Sequence, residues 1–469
     1  MSSPFPPGPR PRWWGLQDLR NQRLDYLGFL HRLHQQHGDL CHTRVLGQSV
    51  YDVFDPRWAQ EVLVRQSAAF QRWERSATVF ARTQGEHSVM VLEGDAGQRM
   101  RRILAPGFSP KRLALYCDQI VQAASRTLDA VPIGDARGVD IEHAATRLTM
   151  DVILQALFSS EMAEEALVAD TAVRHILENG MRELFSPLRL PTWFPLPRLI
   201  AARQGRAALD RLVWRHLHAR QRALAQGRAQ RNDLLGMLMQ ARDEQTGAML
   251  SDREIRDQCM ALFMAGHVTT AAALTWWIWS MANHPALARR ATEEVDQVVG
   301  RWRPGFADVA RLPYLTRTLK ETLRLYPPAP GLFLRRATAA VQLGPWQVQE
   351  GALVRISPWV LHHDPRWFPQ PEAFDPERFT PEAQAARPAG CYLPFGVGAR
   401  SCLGEHFAMA ELTLVAAMVL QRFEMTLPAG ATAAEPTMHI TLRPRQVLRV
   451  HAGLRAHAGQ ATPALNATR

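Results

Sequence analysis

The longest regular pattern in the chain opens at Ser251-Asp252-Arg253-Glu254, where a hydroxyl residue followed three positions later by glutamate has the form of a capping box. It runs to Asn283-His284-Pro285, where proline stops it, and so predicts one long helix. The middle of that helix, Cys259 to Ala282, is apolar enough to pass for a membrane span. His267, Thr269, Thr270, Thr275 and Ser280 break the run, which predicts a core helix instead. Lys320-Glu321-Thr322-Leu323-Arg324 lies in a second predicted helix that Pro327-Pro328 ends, and on it Glu321 and Arg324 are one turn apart and can pair. Ala201 to Arg231 scatters arginines along a third, the pattern of a solvated face. An amphipathic helix is predicted after Cys402.

No Ser/Gly-rich linker, internal repeat or low-complexity tract separates Trp13 from Val450. One large, mostly helical domain over residues 13–455 is therefore expected, with a Pro-rich arm at 1–12 and a disordered tail at 456–469. Hydrophobic residues make up 46% and charged residues 21%, enough for a substantial core. Cys41, Cys117, Cys259, Cys391 and Cys402 are odd in number and lack Cys-x-x-Cys spacing, which points to a reducing cytoplasm without a disulfide framework. The start, M-S-S-P-F-P-P-G-P-R-P-R, has neither a signal core nor a spanning helix, so no transmembrane anchor is expected. The net charge of +11 suits an anionic surface or an acidic protein partner, and no nucleic-acid motif accompanies it.

The chemistry concentrates in Phe395 to Gly404, F-G-V-G-A-R-S-C-L-G. An isolated Cys-x-Gly is ordinarily an inert junction, but here the spacing Phe-x-x-Gly-x-Arg-x-Cys-x-Gly is complete. Cys402 precedes a predicted helix, whose dipole and free N–H groups favour a thiolate, so it is expected to ligate a haem iron. Gly396, Gly398 and Gly404 are expected to let the backbone turn against a flat ring, and Arg400 offers a fork for a propionate.

This loop resembles the haem-binding loop of the cytochrome P-450 superfamily, and the resemblance extends from about Pro6 to about Val450. It implies a mostly α fold with a small β region near Leu40 to Phe54, short strands late in the chain and a long distal helix over one haem b. By the same resemblance Phe395, Gly398, Arg400, Cys402 and Gly404 hold the cofactor, and Arg101 and Arg335 join Arg400 at its propionates. Glu321 and Arg324, with Arg378 of Asp375-Pro376-Glu377-Arg378-Phe379, are implied to support the pocket. Ala265-Gly266-His267-Val268-Thr269-Thr270 resembles the distal oxygen motif, with Thr269 as its alcohol and a local opening of the helix at Gly266. The substrate pocket is implied to be lined by Ala265, Gly266, Thr269 and the segments Phe70 to Leu92, Phe185 to Pro197, Ala329 to Phe333 and Ile440 to Leu442.

The implied activity is insertion of one atom of dioxygen into a lipophilic molecule by a cytoplasmic monomer of the soluble bacterial type. Electrons would come from NAD(P)H through a separate acidic ferredoxin or flavodoxin and its reductase, since the chain contains no fused reductase. Two departures stand out. Val268 replaces the usual acid before the oxygen-pocket threonine, and Gly97 replaces the Trp or His four residues before Arg101. The first keeps open oxidative coupling, peroxygenation or rearrangement, and a non-catalytic haem sensor is the rival of another class. His267 is placed by helical spacing away from the face of Thr269.

Overall fold

The computed structural model describes residues 5–10, 15–160, 163–186, 190–191, 193–439 and 441–455. The Pro-rich start falls partly, and the tail 456–469 wholly, outside the described residues. Helices dominate. Helix Asp252–Asn283 is the axis of the molecule, and its capping box is formed, with the Ser251 side chain accepting from the Glu254 amide and the Glu254 carboxylate accepting from the Ser251 amide. Helices Pro110–Asp129, Ile141–Phe158, Pro313–Leu325 and Glu405–Arg422 join it in one continuous apolar core.

The axial helix is the only described helix long and apolar enough to cross a membrane, and 78% of its apolar stretch is buried inside the protein, as a core helix requires. Trp276 and Trp277 are fully buried in it, their indole N–H groups donating to the Leu442 carbonyl and the Thr318 hydroxyl, each at 2.9 Å. Helix Pro197–Ala225 turns Leu209, Leu212, Val213 and Leu217 inward and most of its arginines outward, as its pattern predicts. The exception is Arg220, buried against Asp233.

Glu405–Arg422 differs from expectation: Ala410 to Leu420 are buried without interruption. This helix runs through the core instead of lying on its surface, because neighbours cover every face.

The β region falls where expected, with Leu40–Val45 and Gln48–Val53 forming an antiparallel hairpin. Leu353–Ile356 pairs parallel with the second of these strands, Arg335–Ala337 follows antiparallel, and Phe70–Arg72 forms the edge. The register places Arg72 opposite Arg335, so a segment near residue 70 and one near 335 deliver two arginines to one spot.

Candidate active site

In the cysteine loop Gly396 and Gly398 adopt φ of 67° and 78°, the left-handed region that favours glycine. At Gly398 a Cβ would also collide with the Leu63 carbonyl. Gly404 has φ of −90°, open to any residue, so its expected role in turning the chain is not seen. Its small size instead leaves the sulfur of Cys402 free of a neighbouring side chain. The Cys402 amide donates to the Phe395 carbonyl at 2.9 Å, which closes the loop.

The Cys402 side chain is exposed, whereas the other four cysteines are buried. Burial by the walls around it nevertheless pushes its thiol pKa up, against the Gly404 N–H and the Arg101 charge. The thiol thus faces an opening while protein crowds its base.

Arg335 and Arg400 come together, with Glu93 and an arginine that the sequence did not flag, Arg72. Glu93 accepts from Arg72 at 3.2 Å and from Arg400, which also donates to the Phe70 carbonyl at 3.1 Å. Arg335 makes no ion pair among the described residues, and its buried Nε has no hydrogen-bond partner. Burial, then repulsion from Arg400 and Arg72, pushes its pKa down to about 10. Three guanidinium groups thus gather at one carboxylate that pairs with two of them, an excess that two propionates would cancel. These residues fit the haem edge. Arg101 stands slightly apart, donating to the Ser401 carbonyl at 2.8 Å and lying close enough to Cys402 to favour its ionised form.

On the axial helix, which is buried almost all round, Ala265 and Thr269 are exposed and Leu262 and Gly266 are partly open. These four positions make a single stripe at helical spacing. The helix stays α-helical through Gly266, so the expected opening is not observed. Gly266 instead permits close packing, since a Cβ there would lie 2.9 Å from Ile153 of the neighbouring helix. The Thr269 hydroxyl donates to the Ala265 carbonyl at 2.8 Å and Thr270 to Gly266 at 2.9 Å. His267 and Val268 are buried on the other side, and burial pushes the His267 pKa down to about 4, so that imidazole is neutral near pH 7.

Phe80 and Phe333 meet edge to face at 4.9 Å, with Phe333 47% exposed. Two expected lining residues are corrected: Leu442 and Phe70 are buried in the core, where backbone pairing and sheet packing hold them. Ile440, Thr192 and Pro187 to Arg189 lie outside the described residues.

The family model for Cytochrome P450 matches residues 4–448. The chain belongs to the cytochrome P-450 family. It is 34% identical over 419 residues to cyclooctatin synthase of Streptomyces melanosporofaciens, covering 88% of each chain. It is 29% identical to cyclooctat-9-en-7-ol 5-monooxygenase of the same organism, over 84% of each chain. Among solved structures, retinoic acid bound cyanobacterial CYP120A1 superposes with a TM-score of 0.83 at 27% identity, covering 97% of this chain and 100% of that one. The protein is thus a monooxygenase-type oxidoreductase with a P-450 fold, and its family implies haem.

In this P-450 the Glu321 cluster is sealed. Arg324 grips the Glu321 carboxylate through two bonds of 2.8 Å, the Asp375 amide adds a third at 2.9 Å, and Arg378 Nε approaches to 3.4 Å. Arg324 also donates to the His362 and Ala373 carbonyls. His362 completes a link that sequence reasoning missed: its Nε2 accepts from the Leu393 amide at 2.8 Å, which leaves Nδ1 to donate to the Arg324 carbonyl at 3.1 Å. Leu393 lies two residues before Phe395, so the cluster is tied to the cysteine loop.

Gly97 also has a physical reason: a Cβ there would lie 2.7 Å from the Leu92 carbonyl, so the large residue common in the family cannot fit. No local pattern marks Arg72. Only its cross-strand register with Arg335 reveals it.

Proposed function

We propose that this P-450, a single haem domain over residues 13–455, binds haem b through Cys402 and oxygenates a lipophilic, hydrocarbon-rich molecule of the terpenoid kind. The observation that carries the reading is the exposed Cys402 thiol within a fold whose neighbouring cluster sets three guanidinium groups against one carboxylate. The names of the two Streptomyces relatives support the substrate class, as does the retinoic acid in the structural neighbour. When bound, a thiolate-ligated haem supplies reductive activation of dioxygen, with one oxygen atom entering the substrate and the other leaving as water.

The chain's own residues do the rest. Arg335, Arg400 and Arg72 anchor the propionates, with Arg101 beside the sulfur and Phe395, Gly398 and Gly404 shaping the loop. Ala265 and Gly266 keep the stripe apolar, while Thr269 offers a hydroxyl to orient water and pass a proton. Electrons come from NAD(P)H through a separate acidic ferredoxin or flavodoxin and its reductase, drawn by the basic surface. The site of action is the cytoplasm.

One observation favours a second reading. Val268 is buried in the apolar core, so neither it nor His267 supplies an acid to the open stripe, and peroxide-driven chemistry needs fewer delivered protons. The test is turnover of cyclooctat-9-en-7-ol, or a terpenoid found by spin-state screening, under heavy-isotope dioxygen with a surrogate ferredoxin system. Monooxygenation incorporates one labelled atom per product, and Thr269→Ala lowers product per NADPH several-fold as peroxide accumulates. Unlabelled product, or equal coupling in Thr269→Ala with efficient peroxide-driven turnover, selects the second reading.

A further inference from the structure

Away from the cysteine loop, a cleft of about 100 Å³ opens where helix Leu16–Leu24 meets helices Ala163–Leu184 and Pro197–Ala225. Arg23, Arg182 and Arg198 converge on it, one from each helix, with Asn179 and Leu190 between them. None of the three guanidinium groups has an ion pair or hydrogen bond among the described residues, in a protein whose arginines are mostly paired. The one carboxylate in the lining, Glu183, is engaged elsewhere, accepting from Arg82. Arg75 holds the Glu183 and Ser186 carbonyls, so those acceptors are also occupied. The cleft therefore presents three cations and an amide with no anion of their own.

Beyond its polar lining lie aromatic rings. Phe185, next to the lining residue Ser186, packs edge-on against Tyr26 at 6.2 Å, and the Tyr26 hydroxyl lies against Gly331, two residues from the exposed ring of Phe333. On the solvent side, Trp193 is 70% exposed. A charged head held by the arginines would thus have an aromatic path leading towards Phe333 and Phe80.

We infer that this cleft is a carboxylate subsite, and that it recognises amphiphiles with an acidic group at one end. The inference rests on the proposed monooxygenase reading for what happens to the bound chain, not for the binding itself. Guanidinium forks match carboxylate geometry, and three arginines from separate helices favour an anion without needing one fixed pose. The arginines are exposed, so they select the acid by charge while the apolar path supplies the larger share of contact.

The test is calorimetric titration of the holoenzyme with dodecanoic acid and with its methyl ester, for the parent protein and the triple variant Arg23→Gln, Arg182→Gln, Arg198→Gln. The parent should bind the acid about tenfold tighter than the ester, and the triple variant should lose that preference while keeping its affinity for the ester. Single variants Arg182→Gln and Arg198→Gln should each lose part of it. Equal acid affinity in parent and triple variant, or no measurable acid binding, overturns the subsite.

Flotation with phosphatidylcholine vesicles, with and without phosphatidylglycerol, forms a second arm. Arginine-dependent binding to the anionic vesicles without acid preference in solution would assign the cluster to a lipid surface and also overturn it. Haem spin-state change on adding the ester reports on the catalytic reading separately. Its absence for every lipophile, with acid preference intact, would sink that reading and leave the subsite standing.

Discussion

Two arginine–glutamate clusters flank the cysteine loop, and they are built to opposite ends. Around Glu321 the carboxylate accepts from Arg324 and the Asp375 amide, Arg378 stands 3.4 Å away without a hydrogen bond to it, and Arg324 donates as well to two carbonyls. Around Glu93 two arginines share one carboxylate, and a third, Arg335, stands beside them with no ion pair among the described residues and a buried Nε without a partner. In the first cluster every arginine lies within ion-pair distance of the shared carboxylate. In the second Arg335 has no such partner, so on the proposed reading the same residue types serve as a structural rivet in one place and as a cofactor cradle in the other.

Removing Glu321 should have the largest effect. Glu321→Ala strands Arg324 in a fully buried site and should cost about 3–5 kcal/mol, giving aggregated or haem-free material in expression and thermal unfolding assays. Wild-type stability and haem content would reduce the cluster to an ordinary contact.

Arg335→Gln should separate the two clusters by sign. Haem transfer to a scavenging globin should become about tenfold faster, since a charge-assisted bond to a propionate is lost. The apoprotein should be no less stable, because the change removes a buried cation that its neighbours repel. Matching losses of apoprotein stability and haem affinity would make this cluster structural too.

The sealed cluster should also be the acid-sensitive one. Burial, then His363 and Arg324, hold the His362 pKa well below 6.5, so the folded protein resists the proton that the unfolded chain accepts. Stability is therefore full above pH 6.5 and falls as pH drops below it, by about 1.4 kcal/mol per pH unit for this one proton. His362→Gln should flatten the pH dependence of urea unfolding below pH 6.5 by one proton. An unchanged slope would show that His362 does not titrate on unfolding.

Much of this was legible in sequence wherever the signal is local. The capping box at Ser251, the proline stop after Asn283 and the glycines at 396 and 398 act through neighbours in the chain, and the structure shows each. The pairing of Glu321 with Arg324 is local too, at three residues' spacing. What escaped is non-local. Arg72 meets Arg335 only through strand register, and His362 reaches the cysteine loop only through a bend that brings Leu393 beside it.

The expected amphipathicity of Glu405–Arg422 failed for a related reason, because packing on all sides overrides a pattern read one helix at a time. Burial also places Val268 in the apolar core, where a glutamate would be costly.

The central claim is that Cys402 is the thiolate ligand of a haem whose edge the open cluster holds. The reduced carbonyl spectrum of the parent protein, Cys402→Ala and Cys391→Ala tests it most directly. The account predicts the red-shifted thiolate-type band in the parent and in Cys391→Ala, and its loss in Cys402→Ala. That band surviving in Cys402→Ala but vanishing in Cys391→Ala would contradict it.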